Sequence, residues 1–103
     1  MKLENFNRKL QLKEMISSKK SKIFENEPLK DKEIIDVPGI GEIYSAQMIK
    51  FGITKADELL GYFLIFKKND ELFELWLNEE FEMQKIHAKA CCNGFKNWCD
   101  NFL

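Results

Sequence analysis

The sequence predicts an all-α protein of one domain, and three observations carry that expectation. Only two prolines and five glycines interrupt 103 residues rich in the helix formers Lys, Glu and Leu. Apolar residues recur at three- and four-residue spacing along most of the chain, which is the period of a helix with one buried face. A hydrophobic content of 45% with 13% aromatic residues places the chain among folded proteins, with enough length for a modest core.

Taken in order, residues 1–16 put Leu3, Phe6, Leu10 and Ile16 near one face of a helix, and the polar, basic stretch Ser17–Lys22 leaves open whether that helix continues. Ile23 and Phe24 return to apolar character, and Pro28 closes the element because the residue before a proline avoids the α region. Asp31 fits the N-cap of a short helix carrying Ile34, Ile35 and Val37. The turn Val37-Pro38-Gly39-Ile40-Gly41 then opens a helix from about Glu42 to Phe51, with Ile40, Ile43, Ala46 and Ile49 at helical spacing and Gly52 as its stop. Thr54 and Asp57 resemble a capping box for the next helix. That helix contains Leu59 to Phe66, where seven of eight residues are apolar or aromatic. One buried face does not need so many, which leaves two readings: self-association, or a central helix in a compact monomer. Lys67-Lys68-Asn69-Asp70 makes a break with Asn69 or Asp70 as N-cap, followed by the stripe Leu72, Phe73, Trp76 and Leu77. Glu79, Glu80 and Glu82 read as a solvated linker. The last helix, from about Gln84, gathers Ala88, Cys91, Cys92, Phe95, Trp98, Cys99 and Phe102 on one face and predicts a docked C-terminus at Phe102-Leu103.

The glycine turn is the chemically suggestive stretch. Two glycines one residue apart let a neighbouring backbone approach, and the first N–H groups of the following helix point outward with the positive end of its dipole. Such a turn can hold a phosphate, or it can be a plain turn between two packed helices. It is not a dinucleotide fingerprint, because no third glycine follows and no strand pattern precedes it. The pattern looks like the turn of a helix-hairpin-helix motif, which grips a nucleic-acid backbone without reading bases.

Charge supports a polarised molecule. The formal net charge is −1, yet residues 1–22 hold seven basic and two acidic groups while residues 23–103 hold nine basic and fifteen acidic ones. The local balances are therefore +5 and −6, which fits either a solvated basic tail or an electrostatic footprint for a polyanion. No apolar run approaches the roughly 18 residues of a membrane span, so direct membrane insertion is not expected, and nothing after Met1-Lys2 reads as a secretory signal. Three cysteines without framework spacing point to a reducing compartment.

Catalytic and metal chemistry find little support. His87 and Cys91 stand i, i+4 and could share a metal, but Cys91, Cys92 and Cys99 fall on the stripe defined by Phe95 and Trp98, where a thiol packs as a small hydrophobe. The single histidine has no marked nucleophile or orienting acid beside it, and no carboxylate pair stands out as a general acid–base couple. Neither an enzyme nor a cofactor is expected.

From about Met15 to Leu103 the chain resembles the barrier-to-autointegration factor family, small chromatin proteins of the nucleus. The resemblance rests on Phe24-x-x-Glu27-Pro28, Gly39-Ile40-Gly41-Glu42, Lys55-Ala56-x-x-Leu59-Leu60-Gly61-x-Phe63-Leu64, Lys67-Lys68-x-x-x-Leu72-Phe73-x-x-Trp76-Leu77 and Trp98-Cys99-Asp100-x-Phe102-Leu103, all in family order and spacing. It implies a compact five-helix fold over residues 15–103 with an embedded helix-hairpin-helix, a two-fold homodimer, and sequence-independent binding and bridging of double-stranded DNA. It further implies a groove for LEM domains of inner-nuclear-membrane proteins, contacts with lamins and histones, and residence in the nucleus, at chromatin and the nuclear envelope, with room for a cytoplasmic pool. Residues 1–14 precede the family's usual start, as an extra helix or as a segment upstream of a true start at Met15.

Residue by residue, the resemblance implies DNA contacts at Lys20 and Lys22 of the first helix, at Gly39, Gly41 and Ile43 of the hairpin, and at Lys85 and Lys89 of the last helix. Gln47 stands where a lysine is usual and Lys89 where an arginine is usual, so one ion pair becomes at best a neutral hydrogen bond and one bidentate fork is lost. Gly61 and Trp76 fall on the implied dimer surface, and Ile53, Tyr62, Ile65 and Lys67 near the implied LEM groove, where Tyr62 and Ile65 differ from common family residues. Ser17 and Ser18 stand where the family carries phosphorylatable residues. A second reading keeps the dimer and the peptide groove as a protein-interaction adaptor and gives up DNA affinity, on the strength of Gln47 and the acidic body.

Overall fold

Four phenylalanines from four different helices meet at the centre of the protein. The structure is a computed structural model that describes residues 19–103. It is helical at residues 19–26 (α1) and then forms α2 (Glu42–Phe51), α3 (Ala56–Ile65), α4 (Asp70–Phe81) and α5 (Lys85–Phe102), with a 3-10 turn at Ile34–Asp36 between α1 and α2. Among the described residues there is no strand, only an isolated bridge between Glu33 and Lys55. Phe24 of α1 meets Phe95 of α5 edge-on at 5.5 Å, Phe63 of α3 meets Phe73 of α4 at 5.1 Å, and Phe95 reaches both Phe63 at 5.8 Å and Phe73 at 6.1 Å. Such pairs add about 0.5–1.5 kcal/mol each beyond the area they bury. The expected all-α class is therefore the observed one.

The N-terminal segment and its Ser17 and Ser18 lie outside the described residues. Within them, most expected boundaries hold: α1 stops before Pro28, α2 runs from Glu42 to Phe51, Gly52 closes it at φ +113°, and Asn69 caps α4 by accepting the Leu72 N–H at 3.0 Å.

Several local expectations are corrected. The short helix before the glycine turn is a three-residue 3-10 helix, Ile34–Asp36, with Val37 just beyond it, and its N-cap is Glu33, whose N–H donates to Asp36, rather than Asp31. The α3 capping acid is Glu58, not Asp57: its carboxylate accepts from the Thr54 N–H, the Thr54 hydroxyl and the Lys55 N–H, and these donors hold its carboxyl below the usual range. Glu79 and Glu80 belong to α4, and Glu82 ends that helix in the left-handed region at φ +53°, so the acidic linker is the last turn of a helix. At the C-terminus Phe102 stacks on Trp98 at 4.9 Å, but Leu103 is 72% exposed.

The glycine turn is fixed against α5 at two points of very close approach. Gly39 has φ +82°, and a Cβ placed there would lie 2.2 Å from the His87 carbonyl oxygen; a Cβ at Gly94 of α5 would lie 2.8 Å from Cγ of Pro38. The turn and the helix thus interlock through two missing side chains. Gly41, two residues on, has nothing within 4 Å of its would-be Cβ and an ordinary extended backbone. Gly39→Ala should therefore destabilise the fold by at least about 2 kcal/mol through combined strain and overpacking. Gly41→Ala should cost no more than about 1 kcal/mol, the difference between two N-cap residues. Urea unfolding of the two variants checks this, and equal losses would contradict the interlock.

Candidate nucleic-acid interface

Helix starts must find partners for their first N–H groups, and the four starts within the described residues solve this in two ways. α3 and α4 use their own side chains, Glu58 and Asn69. α2 and α5 have no side-chain cap. At α2 the cap residue is Gly41, which carries no side chain, and the Glu42, Ile43 and Tyr44 N–H groups have no acceptor among the described residues.

These two uncapped starts lie together. The Tyr44 hydroxyl accepts the Gln84 N–H at 3.1 Å, and the Tyr44 ring packs on His87 at 5.6 Å between centroids. Gly39 presses on the same turn of α5. The first turn of α5 contains no acid, whereas α2 carries Glu42 in its first turn.

Tyr44 also sets the rotation of α2. Ser45 and Met48 face the core, while Ile43 is 76% and Ile49 51% exposed and Ala46 is exposed. The expected apolar stripe of Ile43, Ala46 and Ile49 is thus the outer face, and only Ile40 of that series is buried. Periodicity identified the helix correctly but chose the wrong side, because two interleaved stripes existed and the tertiary contact with α5 selected the one holding Tyr44 and Met48.

Lys20 is brought to the turn in an unexpected role. Its ammonium donates to the Ile40 carbonyl at 2.8 Å. Burial holds it below the ordinary lysine range, an effect that Asp36 partly offsets. It lines a cleft of about 360 Å³ with Lys19, Lys32, Ile23, Phe24 and Asp36, and Lys32 is itself paired with Glu27. Lys22 is exposed on α1.

Gln47 is exposed one helical turn beyond Ile43, on the same face of α2. Lys85 and Lys89 are exposed but occupy a different flank of α5. Each is two residues from His87 and so about 200° around the helix, and Lys85 lines the groove between α4 and α5 with Glu71 and Glu74. The structure therefore gathers Lys20, Gly39, Gly41 and Ile43 at one place, and does not bring Lys85 and Lys89 onto the same flank.

A second surface lies at α3 and α4. Trp76 stacks on Tyr62 at 4.7 Å with 17° between planes, within an aromatic group that includes Phe51, Phe66, Phe73 and Phe81. Beside it Leu64 is 40% and Ile65 72% exposed, and Gly61 has open space where a side chain would stand. Lys67 is exposed with φ +59°. Ile53 is the exception among the residues assigned to a peptide groove. It is 2% exposed, a core residue whose side chain a partner cannot reach, because the chain folds back after Gly52 to bring Thr54 against Ile34.

The cysteines pack as the sequence reading expected. Cys91, Cys92 and Cys99 are buried thiols, burial pushes Cys91 well up, and burial together with Asp70 pushes Cys92 up to about 12. Burial disfavours their thiolate forms, and they pack as small hydrophobes.

Comparison with known proteins places this arrangement. The family model for barrier to autointegration factor matches residues 15–102. Barrier-to-autointegration factor 1 of Caenorhabditis elegans is 37% identical over 89 residues, covering 86% of this chain and 100% of that protein. The human barrier-to-autointegration factor is 34% identical over 89 residues with the same coverage, and that of Drosophila melanogaster 33% identical over 87 residues, 84% of this chain and 97% of that protein. A family model spanning nearly all of the helical core, together with relatives aligned from end to end, shows that the chain belongs to the barrier-to-autointegration factor family.

Proposed function

We propose that this chain is a non-enzymatic, sequence-independent double-stranded DNA-binding protein that bridges DNA as a homodimer and links chromatin to LEM-domain proteins of the nuclear envelope. The observation that carries the DNA reading is the open first turn of α2 beside the start of α5, in a member of this family. Backbone N–H groups and lysines recognise phosphates, and phosphates position a protein without conveying base sequence. The exposed Ile43 gives the duplex an uncharged surface to rest on, and Lys20 holds the turn's carbonyl side while adding positive charge next to it. Lys22, and Lys85 and Lys89 from their own flank, extend the basic surroundings. Gln47 weakens this footprint by one charge.

For the dimer, the support is the apolar surface around Gly61 and Trp76: open space at a mid-helix glycine and half-buried aromatics invite a second copy. Tyr62, Ile65 and Lys67 border that surface and are our candidates for the LEM-domain groove. Contacts with lamins and histones, residence in the nucleus at chromatin and the envelope, and a cytoplasmic pool are parts of the same reading. Phosphorylation of Ser17 and Ser18 would add about −1.5 to −2 charges each beside Lys19, Lys20 and Lys22 and would oppose DNA binding. The adaptor reading, a dimer that binds partners without DNA, draws on the exposed Gln47 and on the same apolar surface.

Mobility-shift titrations on unrelated duplexes separate the two. Similar retardation of all duplexes supports the DNA reading, with log K falling against log salt at roughly −3 to −4.5 for three to five phosphates; no retardation at low salt supports the adaptor. Gly41→Asp should leave the fold as stable or more so, since a carboxylate at the N-cap accepts the open N–H groups, yet weaken DNA binding at least about tenfold by occupying the same donors with like charge. A stable variant with unchanged affinity would move the phosphate site elsewhere. Gly61→Glu should yield a monomer or an aggregate, because it places a carboxylate in a surface meant to be desolvated; sedimentation of an intact dimer would refute this interface.

A further inference from the structure

His87 is the only histidine in the chain, and neither the fold nor the proposed phosphate contacts account for it. It is exposed. Two of its contacts belong to the candidate site: its ring packs on Tyr44, in the first turn of α2, at 5.6 Å, and its carbonyl lies against Gly39 of the turn. Among the residues of α5's first turn it is the one on the flank facing the glycine turn, whereas Lys85 lies about 200° away around the helix.

We infer that His87 is a further DNA-phosphate contact, one that adds positive charge to the site only when protonated and so makes DNA binding pH-dependent. This rests on the DNA-binding reading above. Imidazole is the side chain whose ordinary pKa, about 6.5, falls between pH 5.5 and 7.5, and an anion brought beside it favours the protonated form. The groups around it are few. The Tyr44 ring packs against it from α2, Glu42 stands in the first turn of that helix, Lys20 holds the Ile40 carbonyl of the turn, and on α5 Lys85 lies on the opposite flank. These groups are the same in wild type and in a His87 variant, so a difference in pH response between the two proteins reports on His87. A proton on His87 would also restore the charge that Gln47 fails to provide on this side of the molecule.

The sign follows directly. If the complex favours protonated His87, affinity rises as pH falls from 7.5 to 5.5. The salt dependence must rise with it, since each additional phosphate neutralised steepens log K against log salt by about 0.9.

The experiment compares wild type with His87→Gln on one duplex at pH 5.5 and 7.5 over a salt series. Expected is a slope steeper by up to about 0.9 at pH 5.5 for wild type, with affinity raised severalfold relative to His87→Gln, and near-equal binding of the two proteins at pH 7.5. Equal slopes and equal pH responses in the two proteins overturn the inference while leaving DNA binding intact. Absence of binding by both at either pH overturns the DNA reading instead. His87→Lys should keep the steep slope at both pH values, and a shallow slope in that folded variant would equally count against a phosphate contact at this position.

Discussion

The structure depends on the seating of the glycine turn on α5. Two backbones can approach this closely only where side chains are missing, and Gly39 and Gly94 supply that at the two contact points, one facing the His87 carbonyl and one facing Pro38. The contact fixes where α2 starts and in which direction it runs. With α2 so placed, Tyr44 reaches the Gln84 N–H, Met48 enters the core, and the Ile43 face is turned out. Lys20 closes the assembly from the other side by taking the Ile40 carbonyl, so α1, the turn, α2 and α5 become one rigid corner.

That corner explains why the candidate site is made of backbone. An α-helix normally satisfies its first donors with a nearby side chain, as α3 and α4 do here. At α2 the cap is a glycine whose role is to offer nothing. Its φ is not unusual, so Gly41 is not required by conformation, in contrast to Gly39. The two glycines of the turn therefore do different jobs: one permits packing, and the other leaves donors open.

α4 has the opposite character. α4 and its surroundings carry much of the acid, with Asp70 bonded to Lys96 and held below the usual carboxylate range chiefly by that lysine. An exposed pair of this kind contributes little to stability. Its consequence lies in charge distribution. Among the described residues α1 carries Lys19, Lys20 and Lys22, whereas α4 carries Asp70, Glu71, Glu74, Glu79 and Glu80, so the two elements present potentials of opposite sign.

Much of this was legible in the sequence. Composition and apolar spacing determine an all-α chain, the end of α2 and the start of α4 follow from Gly52 and Asn69, and the place of the cysteines on the Phe95–Trp98 stripe marks them as packing groups. These are local matters, settled by propensity, capping and period within a few residues. The sequence also marked Gly39 and Gly41 as a special turn, and its motifs pointed to the family. What only the tertiary structure decided concerns groups brought together from distant parts of the chain. Which of two stripes on α2 is buried, which acid caps α3, that Lys20 holds a carbonyl, that Ile53 is core, and that His87 stands by the turn all depend on where another helix lies. Helical period fixes which residues share a face, but the face that is buried is chosen by the neighbour it meets.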